Sequence, residues 1–121
     1  MSVKLFDSEL RVMKVLWENG DLTAKEISKL LKESVGWNQN TTYTVIKKCI
    51  AKGAIERSEP NFLCHPLISE NEAQLSSTTE LVDKMFGGSS ELLFASLLNN
   101  DRFSKKEIDN LRQMIADYEK K

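Results

Sequence analysis

Between Gly53 and Pro66 the apolar spacing of this chain drops from a period of about 3.6 residues to one of 2, and that change constrains the fold more than any other feature. Ala54-Ile55-Glu56-Arg57 and Phe62-Leu63-Cys64-His65 flank Ser58-Glu59-Pro60-Asn61, where Pro and Asn mark a turn, so a short β-hairpin is predicted here. Three helical stripes precede it. They are Leu10, Met13, Val15, Leu16 and Trp17 within residues 7–18, then Ile27, Leu30 and Leu31 within 24–33, then Thr42, Val45, Ile46, Cys49 and Ile50 within 39–52. A short extended piece lies near Leu22, between the first two. Three helices closed by a two-stranded hairpin make a winged helix-turn-helix, so the expected fold is mainly α with a small β-hairpin.

The helix ends carry their own signals. Ser or Thr followed three residues later by Glu recurs at Thr23/Glu26, Ser69/Glu72 and Ser104/Glu107. In each, the hydroxyl accepts from the N3 backbone N–H while the Glu reaches back to the cap N–H. Asn19-Gly20-Asp21 stops the first helix, and Gly53 stands at the C′ site of the third. After the hairpin only helices follow. The helix opened at Ser69 carries Ala73, Leu81, Val82, Met85 and Phe86, and the one opened at Ser104 carries Ile108, Leu111, Ile115 and Tyr118. A short buried helix is expected at 92–98, after the Gly87-Gly88-Ser89-Ser90 break. Residues 1–68 therefore read as a winged-helix domain and 69–121 as a helical region. About 50 residues of amphipathic helix bury too little of their own surface to stand alone. A second copy is the simplest partner, because a twofold interface uses the same patch on both chains. Leu81, Met85, Phe86, Ile108, Leu111, Ile115 and Tyr118 are the expected dimer contacts.

Charge distribution sharpens the division. The chain has 17 Lys and Arg against 18 Asp and Glu, net -1, which speaks against a protein that coats nucleic acid nonspecifically. Residues 1–68 nevertheless hold ten cations against eight anions, and 69–121 hold seven against ten. In residues 35–57, Lys47, Lys48, Lys52 and Arg57 face a single Glu56, a local patch suited to phosphates. The longest apolar run, Leu92 to Leu98 with Ser96 inside it, is far short of the roughly 20 residues of a membrane span. The opening residues have no apolar signal-peptide core. Cys49 and Cys64 are expected as free thiols in a cytoplasmic protein.

If Val45, Ile46, Cys49 and Ile50 face the core, the third helix leaves Asn40, Thr41, Tyr43, Thr44, Lys47 and Lys48 outward. Asn can pair with adenine, Thr can bond a base edge or offer its methyl to thymine, and Lys and Tyr can reach phosphate. Asn38 or Asn40 suits the N-cap, where the exposed N–H groups favour a phosphate, so Asn38 is expected among the DNA-binding residues as well. Lys25 before this helix, and Arg57 and Asn61 in the hairpin, are the expected backbone contacts. The expected partner is double-stranded DNA.

Trp37-Asn38-Gln39-Asn40-Thr41-Thr42-Tyr43-Thr44-Val45-Ile46 followed by Lys52-Gly53-Ala54-Ile55 resembles the penicillinase repressor (BlaI/MecI/CopY) family. Val12-Met13-Lys14-Val15-Leu16-Trp17 is similar to its first helix, and Phe86-Gly87-Gly88 with 106–112 to its C-terminal part. The resemblance implies a cytoplasmic dimeric repressor that binds palindromic operators of resistance genes, with winged helices on DNA and the C-terminal helices dimerising. Thr41 and Thr44 match the family's recognition-helix threonines, whereas Tyr43 stands where its best-known members carry Arg, a departure that bears on base preference. In the penicillinase branch, a sensor-linked protease cuts an Asn-Phe bond in the dimerisation segment. Aligned on Phe86-Gly87-Gly88, that bond falls on Ser96-Leu97. The copper-responsive branch ends in paired Cys-x-Cys motifs, which Asp117-Tyr118-Glu119-Lys120-Lys121 does not match, so copper control through that site is not expected.

No cofactor or metal is expected. Cys64-His65 is the one metal-like pair, and adjacent strand residues point to opposite faces. Cys49 is expected as a small core residue and His65 as a packed or hydrogen-bonded strand residue. A single histidine and the lack of a phosphate loop or metal cluster leave no enzyme site, and carboxylates such as Glu9 and Asp101 read as solvated. Two alternatives remain: a winged helix used as a protein interaction module, and a repressor of this family that answers a signal other than β-lactams. The former calls for apolar or acidic residues where Asn40, Thr44, Lys47 and Lys48 stand.

Overall fold

In the computed structural model, which describes residues 3–121, the Ser/Thr-x-x-Glu signals at Thr23, Ser69 and Ser104 each open a helix. Thr23 Oγ1 accepts from the Glu26 N–H at 3.2 Å, and Glu26 Oε1 accepts from the Thr23 N–H at 3.0 Å. The Ser69/Glu72 and Ser104/Glu107 pairs repeat this reciprocal bonding. The order is α1 (Asp7–Asn19), β1 (Leu22–Thr23), α2 (Ala24–Val35), α3 (Gln39–Ala51), β2 (Ile55–Ser58), β3 (Leu63–Pro66), α4 (Glu70–Phe86), α5 (Ser90–Asn99) and α6 (Lys105–Glu119).

The predicted hairpin gains a third member. The extended piece at Leu22–Thr23 pairs antiparallel with β3, Leu22 opposite Cys64 and Thr23 opposite Leu63, giving the strand order β1-β3-β2. Two residues are too short to announce a strand by alternation, and only the pairing makes one. The same β3 pairs with β2 from Ile55 opposite Pro66 to Ser58 opposite Leu63.

Contacts divide the chain into two units, one ending at Thr78 and one covering Thr79–Lys121, so the division lies inside α4. In the first, α1 contributes Val12, Met13 and Leu16, α2 contributes Ala24, Ile27 and Leu31, and α3 contributes Val45, Ile46 and Cys49. Ala54, Ile55 and Cys64 close this core from the sheet side. The beginning of α4 belongs with it: the Trp17 Nε1–H donates to the Ile68 carbonyl at 3.0 Å, and a groove is lined jointly by Leu5, Leu10, Trp17, Ala73 and Ser77. Gly53, at φ +80°, turns the chain from α3 into β2, a conformation that costs a glycine little.

The second unit has the helices but a different interior. Ser89 Oγ caps α5 by accepting from the Leu92 N–H at 3.2 Å, a start signal without the Glu. No residue of α5 or α6 is buried. The expectation of a buried helix at 92–98 is therefore corrected: the helix forms, with Leu92, Phe94 and Leu98 exposed. An apolar run marks an apolar surface without saying that the same chain covers it.

Candidate nucleic-acid interface

The core-facing stripe of α3 is buried as its spacing requires, with Thr42, Ile46 and Cys49 at 0% exposure. The opposite side then carries Asn40, Thr41, Thr44, Lys47 and Lys48, all exposed. Asn38 is the N-cap: its Oδ1 accepts from the Thr41 N–H at 2.8 Å. Thr44 Oγ1–H donates to the Asn40 carbonyl at 2.9 Å, so its proton is held within the helix while its lone pairs and methyl remain for a partner. Thr42 Oγ1 is buried and makes no hydrogen bond among the described residues.

Tyr43 is half-buried and does more than face outward. Its ring meets Phe62 edge to face, with centroids 5.7 Å apart, and so links α3 to the β2–β3 turn. Phe62 is the hub of that turn. It adopts φ +54°, next to Asn61 at +72°, a region unfavourable to a bulky side chain. Several contacts hold it there: its carbonyl accepts from the Ala24 N–H at 2.9 Å, and the Arg57 guanidinium lies 3.6 Å over its ring.

Two of the four cations counted in residues 35–57 are already matched. Arg57 Nε donates to Glu59 Oε2 at 2.6 Å, and this bond holds the Glu59 carboxyl below its ordinary range. Lys52 Nζ pairs with Glu9 and donates to the Lys4 carbonyl at 2.9 Å, while lying 3.9 Å over the Phe6 ring. The reading of Glu9 as solvated is thereby overturned, since it is 1% exposed. Its Oε1 also accepts from the Phe6 N–H at 2.8 Å, half of a capping box at the start of α1. Burial acts to raise the Glu9 pKa, but the Lys52 and Phe6 hydrogen bonds and the charges of Lys52 and Lys48 outweigh it, and the carboxyl is held low.

Sequence reasoning missed a groove between α2 and the start of α3. It has a volume of about 440 Å³ and is lined by Lys25, Glu26, Ser28, Lys29, Lys32, Asn38 and Gln39. Of these, Lys25 and Asn38 were expected at the interface. The signal for the others was present: lysines at 25, 29 and 32, spaced by four and three, share one helix face. Glu26, the carboxylate in this set, is engaged with Thr23.

Burial pushes the Cys49 thiol up to about 12 and the Cys64 thiol up to about 11, leaving both as thiols at neutral pH. His65 is exposed and its Nδ1 lies 2.8 Å from Asp21 Oδ1, a hydrogen-bonded strand residue. Among the described residues no group of three or more His, Cys, Asp or Glu could hold a metal, and no helix is long and apolar enough to cross a membrane.

Comparison with known proteins matches this arrangement. The family pattern described as penicillinase repressor covers residues 5–117. The penicillinase repressor of Bacillus licheniformis is 26% identical over 95% of this chain and 91% of its own. The methicillin resistance regulatory protein MecI of Staphylococcus aureus (strain N315) is 23% identical over 93% of each. Among solved structures, the DNA-binding domain of the repressor BlaI is 30% identical with a TM-score of 0.54, covering 60% of this chain and 93% of that one. The Bacillus licheniformis BlaI monomeric form in complex with the blaP half-operator is 31% identical with a TM-score of 0.50, covering 57% of this chain and 87% of that one.

Proposed function

The chain belongs to the penicillinase repressor family, DNA-binding repressors and not enzymes, and from that premise we propose that it acts as a homodimer on a palindromic operator. Each winged unit (residues 1–68 by sequence) reads one half-site. The observation that carries this reading is the polar face of α3, where Asn40, Thr41, Thr44, Lys47 and Lys48 stand exposed over a fully buried opposite side. A protein interaction module calls for apolar or acidic groups there, and this face has none. Thr41 and Thr44 read base edges, Lys47 and Lys48 reach phosphates, and Tyr43 sets the wing that carries Arg57 and Asn61. Repression follows from occupying promoter DNA, without chemistry by the protein.

Dimerisation is assigned to residues 69–121. Leu81, Met85, Ile115 and Tyr118 are exposed, and Phe86, Ile108 and Leu111 are half-buried, an apolar supply that one chain leaves uncovered. Relief of repression is assigned to a sensor-linked protease acting at Ser96-Leu97, in a resistance operon by analogy with the named relatives. That bond lies within α5, where the Asn100 side chain donates to the Ser96 carbonyl at 2.7 Å, so the helix must open for cleavage. Protection mapping of DNA upstream of the protein's own operon tests the reading. A repeated half-site with centres about one helical turn, or a multiple of it, apart supports a dimer on a palindrome. A footprint without a repeat rejects it.

A further inference from the structure

We propose that the phosphate grip of this protein lies on α2, through Lys25, Lys29 and Lys32, and that its wing offers DNA no unmatched cation. The inference rests on the DNA-binding reading above and says where the backbone is held.

Two independent observations carry it. The first is the groove between α2 and the start of α3. Lys25, Lys29 and Lys32 are exposed along one side of α2, and none has a carboxylate within 4.0 Å among the described residues. Seven residues of helix set the outer two about 10 Å apart along the axis, against one phosphate per about 3.4 Å of axis on each DNA strand. Three flexible ammonium groups at that spacing can follow successive phosphates. Asn38 and Gln39, which open α3, form the far wall, so a backbone seated here would pass the start of the helix that carries Asn40, Thr41 and Thr44.

The second observation is the state of the wing. Its one arginine has its Nε bonded to Glu59 and its plane laid on Phe62. As a pair, Arg57 and Glu59 bring no net charge to the duplex and release no net counterion. Lys52, just past the end of α3, is likewise matched by Glu9. Among the described cations of α2, α3 and the wing, those with no carboxylate within 4.0 Å are therefore Lys47 and Lys48 on α3 and the three lysines of α2. Glu59 occupies Arg57, and losing it would free Arg57 as a phosphate contact.

The test is the salt dependence of full-length protein binding to a random-sequence 20-bp duplex, followed by fluorescence anisotropy at low ionic strength. Each of K25Q, K29Q and K32Q is expected to flatten the log–log salt slope by about 0.9, and the triple variant by roughly two to three. The double variant R57Q/E59Q, which removes the pair as a unit, should leave the slope unchanged, and E59Q alone should steepen it by about 0.9. Thermal melting of each variant confirms that the exposed substitutions leave the fold intact. Lysine variants that keep the wild-type slope, or an R57Q/E59Q variant that flattens it as they should, overturn the inference while DNA binding stands. A wild-type protein that binds no duplex at low salt overturns the DNA-binding reading itself, a separate result.

Discussion

The two units are built from the same local signals and end in opposite states. The first packs three helices and a sheet around twelve buried apolar residues, from Val12 to Cys64. The second has well-capped helices at Ser89 and Ser104, yet leaves Leu92, Phe94, Leu98, Met114, Ile115 and Tyr118 exposed. Capping decides where a helix starts and contributes roughly 1 kcal/mol. Whether its apolar face is covered depends on how many elements meet around it, and α5 and α6 lack such an enclosure within one chain.

The contrast predicts effects that differ in kind. Ile46→Ala, inside the first core, should destabilise by about 2–5 kcal/mol in urea unfolding, since it removes buried carbon and leaves a cavity. A loss of under about 1 kcal/mol would mean that the first unit is not the self-sufficient one. Ile115→Asp, at an exposed site, should leave that unfolding transition in place and instead weaken self-association by about 2 kcal/mol or more, read by sedimentation across concentration. A variant that assembles like the parent would remove α6 from the proposed dimer contact.

Electrostatics gives the next largest effect. Lys52→Met removes the partner of a carboxylate whose side chain is 2% exposed; with Lys52 itself partly solvated, the expected loss is about 1–3 kcal/mol at neutral pH. The folded-state pKa of Glu9 is lowered, so its contribution is present above the ordinary carboxylate range and disappears as pH falls through the lowered value. Stability measured from pH 6 down to 3 should therefore fall more steeply in the parent than in Glu9→Gln. Equal slopes would mean that the pair contributes nothing to the acid limb. The smallest effect is Thr42→Val, expected to be neutral or stabilising by about 1 kcal/mol because the buried hydroxyl has no partner to lose. Calorimetric melting that shows clear destabilisation would reveal a hydrogen bond of Thr42 in solution.

Much of the first unit was legible because its information is local. Thr23 and Glu26, or Ile46 and Ile50, lie within one helical turn, and their spacing alone specifies the cap or the shared face. The candidate interface was legible for the same reason: once Val45, Ile46 and Cys49 take the core side, Asn40, Thr44 and Lys47 have no other side to occupy. Glu9 was misread because its polarity suggested solvent, and its partner Lys52 stands 43 positions away. The Arg57 and Glu59 pair was near in sequence, but its stacking on Phe62 depends on a turn with positive φ at Asn61 and Phe62 that no pattern announces.

The amino-acid order by itself determined where helices begin and stop, which faces are apolar, and that residues 53–66 form a hairpin, since these follow from side-chain spacing and backbone hydrogen bonding within a few residues. Only the tertiary structure decided which charges are spent. Lys52 and Arg57 count as cations in any composition, yet the packing of α1 against α3 and the folding of the wing turn give each a carboxylate, whereas Lys25, Lys29 and Lys32 are left with none among the described residues. A charge acts on a distant partner only to the extent that nothing nearer neutralises it, and nearness across the fold is a property of three dimensions.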